Sequence, residues 1–232
     1  MSSGLVVREV SFRYGEVVVL DGESFEVERG RTLVVTGGNG VGKSTLLHLC
    51  AGLLAPDAGA ITLDGHAPVV DRPSHLVRRG VRTGFVFQGG GLVSNLNALA
   101  NVKLALRYHA DVWGLTEAAI DERAKEALDR VRIGESELYS LPARLSYGTR
   151  KRVAMARVIA LRPTFVFCDD PDAGLDSATA KVVSDTLLAW RDDPEVTTLV
   201  STNHRALIDA IGEAPKELTR GRLLAQTYRR VE

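Results

Sequence analysis

The chain has 232 residues and equal numbers of basic and acidic side chains, 29 of each, so its formal net charge is zero. This balance argues against a nucleic-acid-binding protein, because such proteins present a basic surface to the phosphate backbone. The length suits one large α/β domain, residues 1–232, with a substantial core.

The cysteines and the hydropathy of the sequence indicate where in the cell the protein is expected. Cys50 and Cys168 lie among apolar residues without metal-ligand spacing, which indicates buried thiols in a reducing compartment. No apolar run approaches the roughly 20 residues that span a bilayer, and the N-terminus lacks the features of a signal peptide. We therefore expect a cytoplasmic protein whose membrane role, if any, comes through a partner. The basic clusters at 150–152 and 229–230 are expected on solvated faces.

The first part of the chain predicts mainly strands. Apolar alternation, β-branched runs and turn residues predict these elements in chain order: antiparallel strands at 5–12 and 23–28, a strand at 32–36, a helix ending near residue 54, a hairpin at 60–65, and a strand at 84–87.

The middle of the chain has a helical pattern. Apolar positions recur at helical spacing over 97–109 and 116–132, with Thr116 as an N-cap. The strand pattern then returns, and the predicted elements are a strand at 164–168, a helix at 177–191, a strand at 196–200, another helix and a closing hairpin around 220–221. Alternating strands and helices indicate a largely parallel, buried sheet, with the block at 89–144 inserted as a helical lobe.

A phosphate-binding loop lies between the strand at 32–36 and the helix that follows it. Residues 37–45 read Gly-Gly-Asn-Gly-Val-Gly-Lys-Ser-Thr, a complete G-x-x-x-x-G-K-[ST] motif. Glycines let backbone N–H groups wrap a phosphate, the lysine reaches the β- and γ-phosphates, and the serine hydroxyl ligates Mg²⁺. The alternative is a glycine-rich turn with a chance lysine, but the strand–loop–helix context favours binding of a nucleoside triphosphate. The candidate nucleotide contacts are Gly37, Gly38, Asn39, Gly40, Val41, Gly42, Lys43, Ser44 and Thr45.

An acidic strand end is the expected partner of this loop. Phe165-Val-Phe-Cys-Asp169-Asp170 places two carboxylates after a buried strand. We predict that Asp169 lies near the Mg²⁺ held by Ser44 and that Asp170 faces the attacking water. Alone, the pattern would better suit a core strand that ends in two solvated acids, but its place beside the phosphate loop favours the catalytic interpretation.

A third segment, Leu145-Ser-Tyr-Gly-Thr149, precedes a predicted helix from Arg150 to about Leu161. Here the chain resembles the ATP-binding cassette (ABC) ATPases, whose signature at this position is Leu-Ser-Gly-Gly-Gln. The resemblance covers nearly the whole chain. Further matches are Tyr14 with the aromatic that stacks on adenine, Gln88 with the glutamine that senses Mg²⁺ and the γ-phosphate, Asp172–Asp176 with the loop that crosses the dimer interface, and His204 with the histidine that contacts the γ-phosphate.

The resemblance implies a fold, cofactors and an assembly. The fold is a P-loop NTPase of ABC type, with a mainly parallel sheet core, an N-terminal antiparallel β-subdomain and an inserted helical lobe. Its core covers 1–88 and 150–232, and its helical subdomain covers 89–149. ATP and Mg²⁺ are the implied cofactors, with Ser44, Gln88 and Asp169 at the metal and Lys43, Asp170 and His204 in catalysis. Two copies, or this chain and a related ATPase, meet head to tail, so that the nucleotide of one contacts Ser146, Tyr147, Gly148, Thr149 and Asp176 of the other.

Three residues depart from the family pattern. Asp170 stands where the family has glutamate, and a carboxylate displaced by about 1 Å can slow a reaction on the order of a hundredfold. Tyr147 replaces the first signature glycine and crowds the γ-phosphate unless its ring swings aside. Thr149 replaces the usual glutamine. We expect a working but slow ATPase.

The family resemblance also implies a transport role. A cassette of this size is similar to transporter motor subunits that lie at the inner face of the cell membrane, docked through residues 89–102 to separate membrane permeases. The segment 87–109 is similar to ATPases of the maintenance-of-lipid-asymmetry (Mla) type, which move phospholipids with MCE (mammalian cell entry) lipid-binding proteins. Three alternatives stay open: a motor for another cargo (lipoprotein, drug, metal or amino acid), a soluble cassette acting on DNA or ribosomes, and a nucleotide-gated module that barely hydrolyses.

Overall fold

Strands and helices alternate along most of the chain in the computed structural model, which describes residues 4–68 and 74–225. The strands are β1 (Leu5–Tyr14), β2 (Val17–Val27), β3 (Thr32–Thr36), β4 (Ala58–Leu63), β5 (Thr83–Val86), β6 (Phe165–Asp169), β7 (Thr197–Ser201), β8 (Lys216–Thr219) and β9 (Arg222–Ala225). The helices are α1 (Lys43–Cys50), α2 (Ser74–Arg78), α3 (Ala98–Tyr108), α4 (Ala110–Trp113), α5 (Glu117–Arg130), α6 (Glu135–Leu138), α7 (Tyr147–Ala160), α8 (Ser177–Asp192) and α9 (Arg205–Ile211). A short 3₁₀ turn covers Pro142–Arg144.

The first sheet is antiparallel, with strand order β2-β1-β4. The second half of β2, residues 23–27, alternates buried and exposed residues, as expected when one face packs on the core and the other meets solvent, whereas β1 begins with three consecutive buried residues, Leu5–Val7. Of the hairpin predicted at 60–65, the structure has one strand, its turn and a single antiparallel bridge beyond that turn, but no second strand among the described residues. The segment is the single strand β4, which pairs with β1, and a tight turn after it joins Leu63 to His66.

The second sheet has the order β5-β6-β7-β3-β8-β9 and is parallel except for its last strand. Every residue of β3, β6 and β7 is buried, as expected for strands covered on both faces. The period of two divides β6 between two cores, because Phe165 and Phe167 face α1 and the antiparallel sheet whereas Val166 and Cys168 face the helical side. The predicted α/β class and mainly parallel sheet are confirmed.

Helices α3 to α6 lie between β5 and β6 in the chain and form the lobe that the sequence predicts. Helix α7 packs against α3 and α5 on one side and against β5 on the other, so it joins the lobe to the sheet. Two predicted helix bounds differ from the structure. Helix α7 begins at Tyr147 rather than Arg150 because Ser146 caps it, and α1 ends at Cys50 rather than near residue 54.

Both cysteines and Lys151 are buried in the structure. Cys50 and Cys168 are fully buried free thiols, as predicted, and burial raises the pKa of both. The expectation of a solvated face at 150–152 was wrong, because Lys151 is only 1% exposed; the cluster at 229–230 lies outside the described residues. Within the described ranges, the helices are all too short or too polar to cross a membrane.

The contact between β5 and α7 is tight enough to predict the effect of one methyl group. A Cβ at Gly84 would lie 2.4 Å from Val158 Cγ1, and a β-branched side chain in a helix has little freedom to move aside. We expect Gly84→Ala to lower the free energy of unfolding, measured by urea denaturation, by about 1–3 kcal/mol.

Gly89→Ala is the matched control for this prediction, because nothing lies within 4 Å of a Cβ at that position. Its effect should stay within about 0.5 kcal/mol. Adding Val158→Ala to Gly84→Ala should destabilise by less than the sum of the two single changes. Strict additivity would contradict the proposed overlap.

Candidate nucleotide-binding site

The loop from Gly37 to Gly42 joins the end of β3 to the start of α1. Gly37 and Gly42 have positive φ values of 142° and 106°, which L-residues rarely adopt. Neither has room for a side chain: a Cβ at Gly37 would lie 2.5 Å from the Leu218 carbonyl oxygen, and one at Gly42 would lie 2.4 Å from Val19 Cγ1. Gly42 is the N-cap of α1 and has no side chain to accept from the first helical amides. Those amides are therefore available to an anion at the positive end of the helix.

Two side chains fix the shape of this loop. The Lys43 ammonium donates to the carbonyl oxygens of Gly37 and Gly38 at 2.7 and 3.0 Å. Asn203, at the end of β7, binds both backbone groups of Gly37: its Nδ2 donates to the Gly37 oxygen at 2.8 Å, and its Oδ1 accepts from the Gly37 amide at 3.0 Å. Sequence reasoning missed Asn203, whose only signal was its position directly before His204.

Asp169 and Asp170 lie at the end of β6, the second strand from β3. Asp169 is buried and accepts a 2.7 Å hydrogen bond from the Ser201 hydroxyl. Asp170 adopts a left-handed φ of 45°, and its amide donates to the Ser201 carbonyl oxygen at 3.0 Å. Burial, with the charges of Asp172 and Asp169, raises the pKa of Asp170, whereas Lys43 and Lys151 oppose that rise.

The loop and the acidic strand end share one cavity of about 440 Å³. The Gln88 amide, beyond the end of β5, reaches Asp170 Oδ2 at 3.4 Å. The residues that line the cavity, all of them predicted from the sequence, are Asn39, Gly40, Gly42, Lys43, Ser44, Thr45, Gln88, Asp169 and Asp170. A larger cavity of about 630 Å³ lies at the opposite ends of β5 to β7 and contains none of these residues.

The oxygen-rich side of the cavity suits Mg²⁺. Ser44, Gln88 and Asp169 offer a hydroxyl, an amide and a carboxylate oxygen, which are ligands that this hard cation accepts. Among the described residues, no group of three or more His, Cys, Asp or Glu side chains could hold a metal ion. Such a sparse protein ligand set fits Mg²⁺, which commonly shares its coordination with substrate phosphates and water.

His204 lies at the start of α9, beyond the end of β7. Its Nδ1 makes a short contact with Asp172 Oδ2, and its backbone amide donates to Thr202 Oγ1 at 3.0 Å. Asp172 is buried, although the sequence marks it only as the first residue of a loop. The residues that line the cavity do not include His204, so its contact with the γ-phosphate stays a prediction.

The predicted signature segment includes the first turn of α7, and none of its residues is among those that line the cavity. Ser146 accepts from the Thr149 amide at 3.0 Å, which makes it the N-cap. Gly148 packs so closely on α8 that a Cβ there would lie 2.8 Å from Thr179 Oγ1. The Thr149 side chain is buried, and its hydroxyl donates to Glu137 at 3.0 Å.

The Tyr147 ring is held against residues of its own chain. Its hydroxyl donates to the Gln88 carbonyl oxygen at 3.2 Å, and the Arg150 guanidinium lies 5.8 Å from the ring centroid. A Cβ at Gly174 would lie 3.7 Å from the ring. The side chain thus links the tip of α7 to the end of β5.

Lys151 also ties α7 to the site. Its ammonium donates to the carbonyl oxygens of Asp170 at 3.1 Å and Phe87 at 3.5 Å. Burial lowers the pKa of Lys151, and the neighbouring carboxylates, led by Asp170, oppose that effect. Hydropathy alone could not show that this lysine is buried, because the acceptors are backbone groups distant in sequence.

The remaining predicted contacts, Tyr14, Val41 and Asp176, are not among the residues that line the cavity. Tyr14 is exposed at the end of β1, edge-on to Phe12 at 4.9 Å between ring centroids. Asp176 caps α8, and hydrogen bonds from the backbone and hydroxyl of Thr179 lower its pKa. Val41 is half-buried beside Gly37. Their roles in nucleotide binding stay predictions.

Comparison with known proteins identifies the family. Residues 20–173 match the ABC transporter family, and this matched segment covers more than half of the chain. The chain belongs to the ABC transporter family. It is 34% identical to the lipoprotein-releasing system ATP-binding protein LolD of Hydrogenovibrio crunogenus over 219 residues, 93% of each protein. It is also 34% identical to the methionine import ATP-binding protein MetN of Rhodopseudomonas palustris, but spans only 56% of that protein.

A solved cassette has the same fold. The dimeric ATP-binding cassette MJ0796, in a post-hydrolysis state bound to ADP and Pi, superposes with a TM-score of 0.83 at 27% identity, covering 94% of this chain and 96% of that one. The family and these similarities show that the chain is an ABC ATPase, the motor subunit of a transporter. ABC cassettes dimerise and work with membrane permeases.

The two hydrogen bonds from Asn203 to Gly37 predict a nucleotide-binding phenotype. Each bond contributes about 1 kcal/mol, so Asn203→Ala should weaken ATP binding by up to about thirtyfold by freeing the start of the loop. Isothermal titration calorimetry measures the change. Asn95→Ala, at an exposed position away from the loop, is the control. Equal dissociation constants for the two variants would contradict the role of Asn203.

Proposed function

We propose that this chain binds Mg-ATP between two subunits and hydrolyses it to drive a membrane permease. The observation that supports this proposal is the division of the predicted site. One cavity gathers the phosphate loop, Gln88, Asp169 and Asp170, whereas the tip of α7 at Ser146 lies outside it. A helix tip that is predicted to bind phosphate, but whose residues do not line its own cavity, is explained if it completes the site of a second copy or a related ATPase.

Phosphate binding, metal binding and proton transfer are assigned to different residues of the loop and the cavity. The amides of the loop and Lys43 hold the phosphates, and Ser44, Gln88 and Asp169 would hold Mg²⁺, which offsets phosphate charge when bound. Asp170 accepts the proton of the attacking water, and its carboxylate is oriented by the Gln88 amide, which lies 3.4 Å from Asp170 Oδ2. Lys151 holds the carbonyl oxygen of Asp170 from behind, which fixes the backbone that carries the base.

Asp170 suits its backbone better than a glutamate would. Aspartate tolerates the left-handed region better than most L-residues, and its φ of 45° lies in that region. Its carboxylate is nevertheless one methylene short of the position that glutamate reaches in the family.

We therefore expect Asp170→Glu to raise the rate of phosphate release by about tenfold to a hundredfold, because the longer side chain restores the distance to water. Steady-state kcat at saturating Mg-ATP measures it. Asp170→Ala should lower kcat. If neither change alters kcat, Asp170 is not the base.

The segment 89–102 presents a rigid surface for a permease. The buried Asn101 side chain accepts from the Val93 amide at 2.7 Å and donates to the carbonyl oxygens of Val93 and Leu96 at 3.1 and 2.8 Å. Arg157 donates to the Gly91 oxygen at 2.7 Å. These bonds hold the loop while Val93 remains exposed, as a docking contact requires. The ATPase is then peripheral, at the inner face of the cell membrane.

For the cargo, we propose a lipid or a lipid-bearing protein. The segment 87–109 supports phospholipid transport of the Mla type with an MCE partner. The similarity to LolD over 93% of both proteins supports lipoprotein release, a second candidate that also handles acylated molecules. The similarity to MetN supports the competing candidate, a small polar solute that is imported.

Co-purification separates these cargoes. The tagged protein, solubilised from membranes with its permease, should retain an integral membrane partner and acylated material detectable by mass spectrometry. The control is the same protein with Val93→Asp, which places a charge in the docking loop and should release the partner. A partner without lipid, whose addition raises ATP turnover only with methionine or another small solute, would contradict a lipid cargo.

The weakly hydrolysing alternative has its own test. A motor should hydrolyse ATP faster when its permease is present in detergent or nanodiscs. Turnover that stays near zero with and without the permease would favour a nucleotide-gated module.

A further inference from the structure

The contact between Asp172 and His204 has no role in the site described above, where only His204 has a predicted contact with the γ-phosphate. The Asp172 side chain is only 4% exposed, whereas the His204 side chain is 60% exposed. The carboxylate thus lies behind the imidazole, on the protein side, and the ring projects from it toward solvent.

Asp172 is held on both of its oxygens. Thr202 Oγ1 donates to Oδ1 at 3.2 Å, and the His204 ring contacts Oδ2 through Nδ1. Thr202 is fully buried and also accepts from the His204 backbone amide at 3.0 Å. Three residues therefore form a closed set of hydrogen bonds that fixes both the position of the imidazole and its rotation.

The contact also decides which ring nitrogen carries the proton. A carboxylate with no proton can only accept, so Nδ1 must be the donor in the neutral ring and in the imidazolium alike. Proton uptake and release are then confined to Nε2. Among the described residues, the hydrogen bonds of the His204 ring involve Nδ1 alone.

We propose that Asp172 is a positioning residue for His204, which it holds as the Nδ1–H tautomer with Nε2 directed to the reacting phosphate. The proposal rests on the proposed function, since it requires ATP hydrolysis at this site and takes the predicted contact of His204 with the γ-phosphate as its starting point. Nε2 accepts a hydrogen bond from the attacking water when the ring is neutral, and it donates one to a phosphate oxygen when the ring is protonated.

The tautomer can be measured without ATP turnover. Long-range ¹H–¹⁵N correlation spectra at alkaline pH distinguish the two neutral tautomers, and His204→Ala assigns the signal among the five histidines of the chain. We expect the Nδ1–H form in the native protein. An Nε2–H form in the native protein overturns the proposal, and no variant is needed for that result.

The variant Asp172→Asn provides a second test of the same proposal. With Thr202 still donating to the amide oxygen, the side-chain NH₂ faces Nδ1, so the ring must switch to the Nε2–H form. We expect that switch, with kcat reduced about 10- to 100-fold and the KM for ATP nearly unchanged. Asp185→Asn, at an exposed carboxylate of α8, is the control and should leave kcat unchanged.

The outcomes distinguish a failure of the inference about Asp172 from a failure of the proposed function. An unchanged tautomer or an unchanged kcat in Asp172→Asn overturns the role of Asp172. If Lys43→Ala also leaves turnover unchanged, the proposed function fails as well. If Lys43→Ala abolishes turnover while Asp172→Asn has no effect, only the inference about Asp172 fails.

Discussion

The amide groups at the turn between β3 and α1 are the constraint around which this protein is built. Gly42 caps α1 and has no side chain that could accept from those amides. At Gly37, a side chain would collide with the backbone of Leu218. A phosphate is the group that meets this arrangement best. The strand order places β7 beside β3 and β6 beside β7, so the ends of these strands deliver Asn203, His204 and Asp169 to the same edge of the sheet.

Much of this arrangement could be predicted from the sequence because its signals are local. The glycine spacing of the loop, the apolar strand that ends in Asp169, and the alternation of strands and helices each follow from residues close together in the chain. The start of α7 was predicted three residues late because residues 145–149 were assigned to a segment before the helix, whereas Ser146 is the N-cap and the helix begins at Tyr147.

The interactions that the sequence did not reveal connect distant segments. Lys151 is charged and lies in a basic run, yet its ammonium binds carbonyl oxygens 19 and 64 residues away. The partners of Asp172 lie 30 and 32 residues further along the chain. Such contacts depend on how β6, β7 and α7 pack, and a propensity or hydropathy pattern contains no information about that packing.

The two residues that depart most from the family pattern are accommodated in different ways. Asp170 fits a left-handed backbone position that favours aspartate, at the cost of a shorter reach. Tyr147 turns its ring to the Gln88 carbonyl oxygen and so connects the tip of α7 with the segment that leads to the docking loop. Both departures leave the phosphate loop intact, and they bear on the rate of hydrolysis and on the contact between subunits.

The most direct test of the account is the mass of the protein with and without nucleotide. Analytical ultracentrifugation of the slowly hydrolysing variant Asp170→Asn should show a monomer with ADP and a dimer with Mg-ATP. Adding Ser146→Tyr, which blocks the helix tip but not the cavity, should abolish the dimer while calorimetry still detects bound ATP. A protein that remains monomeric when saturated with ATP, even together with its permease, would contradict the claim that two subunits enclose the nucleotide.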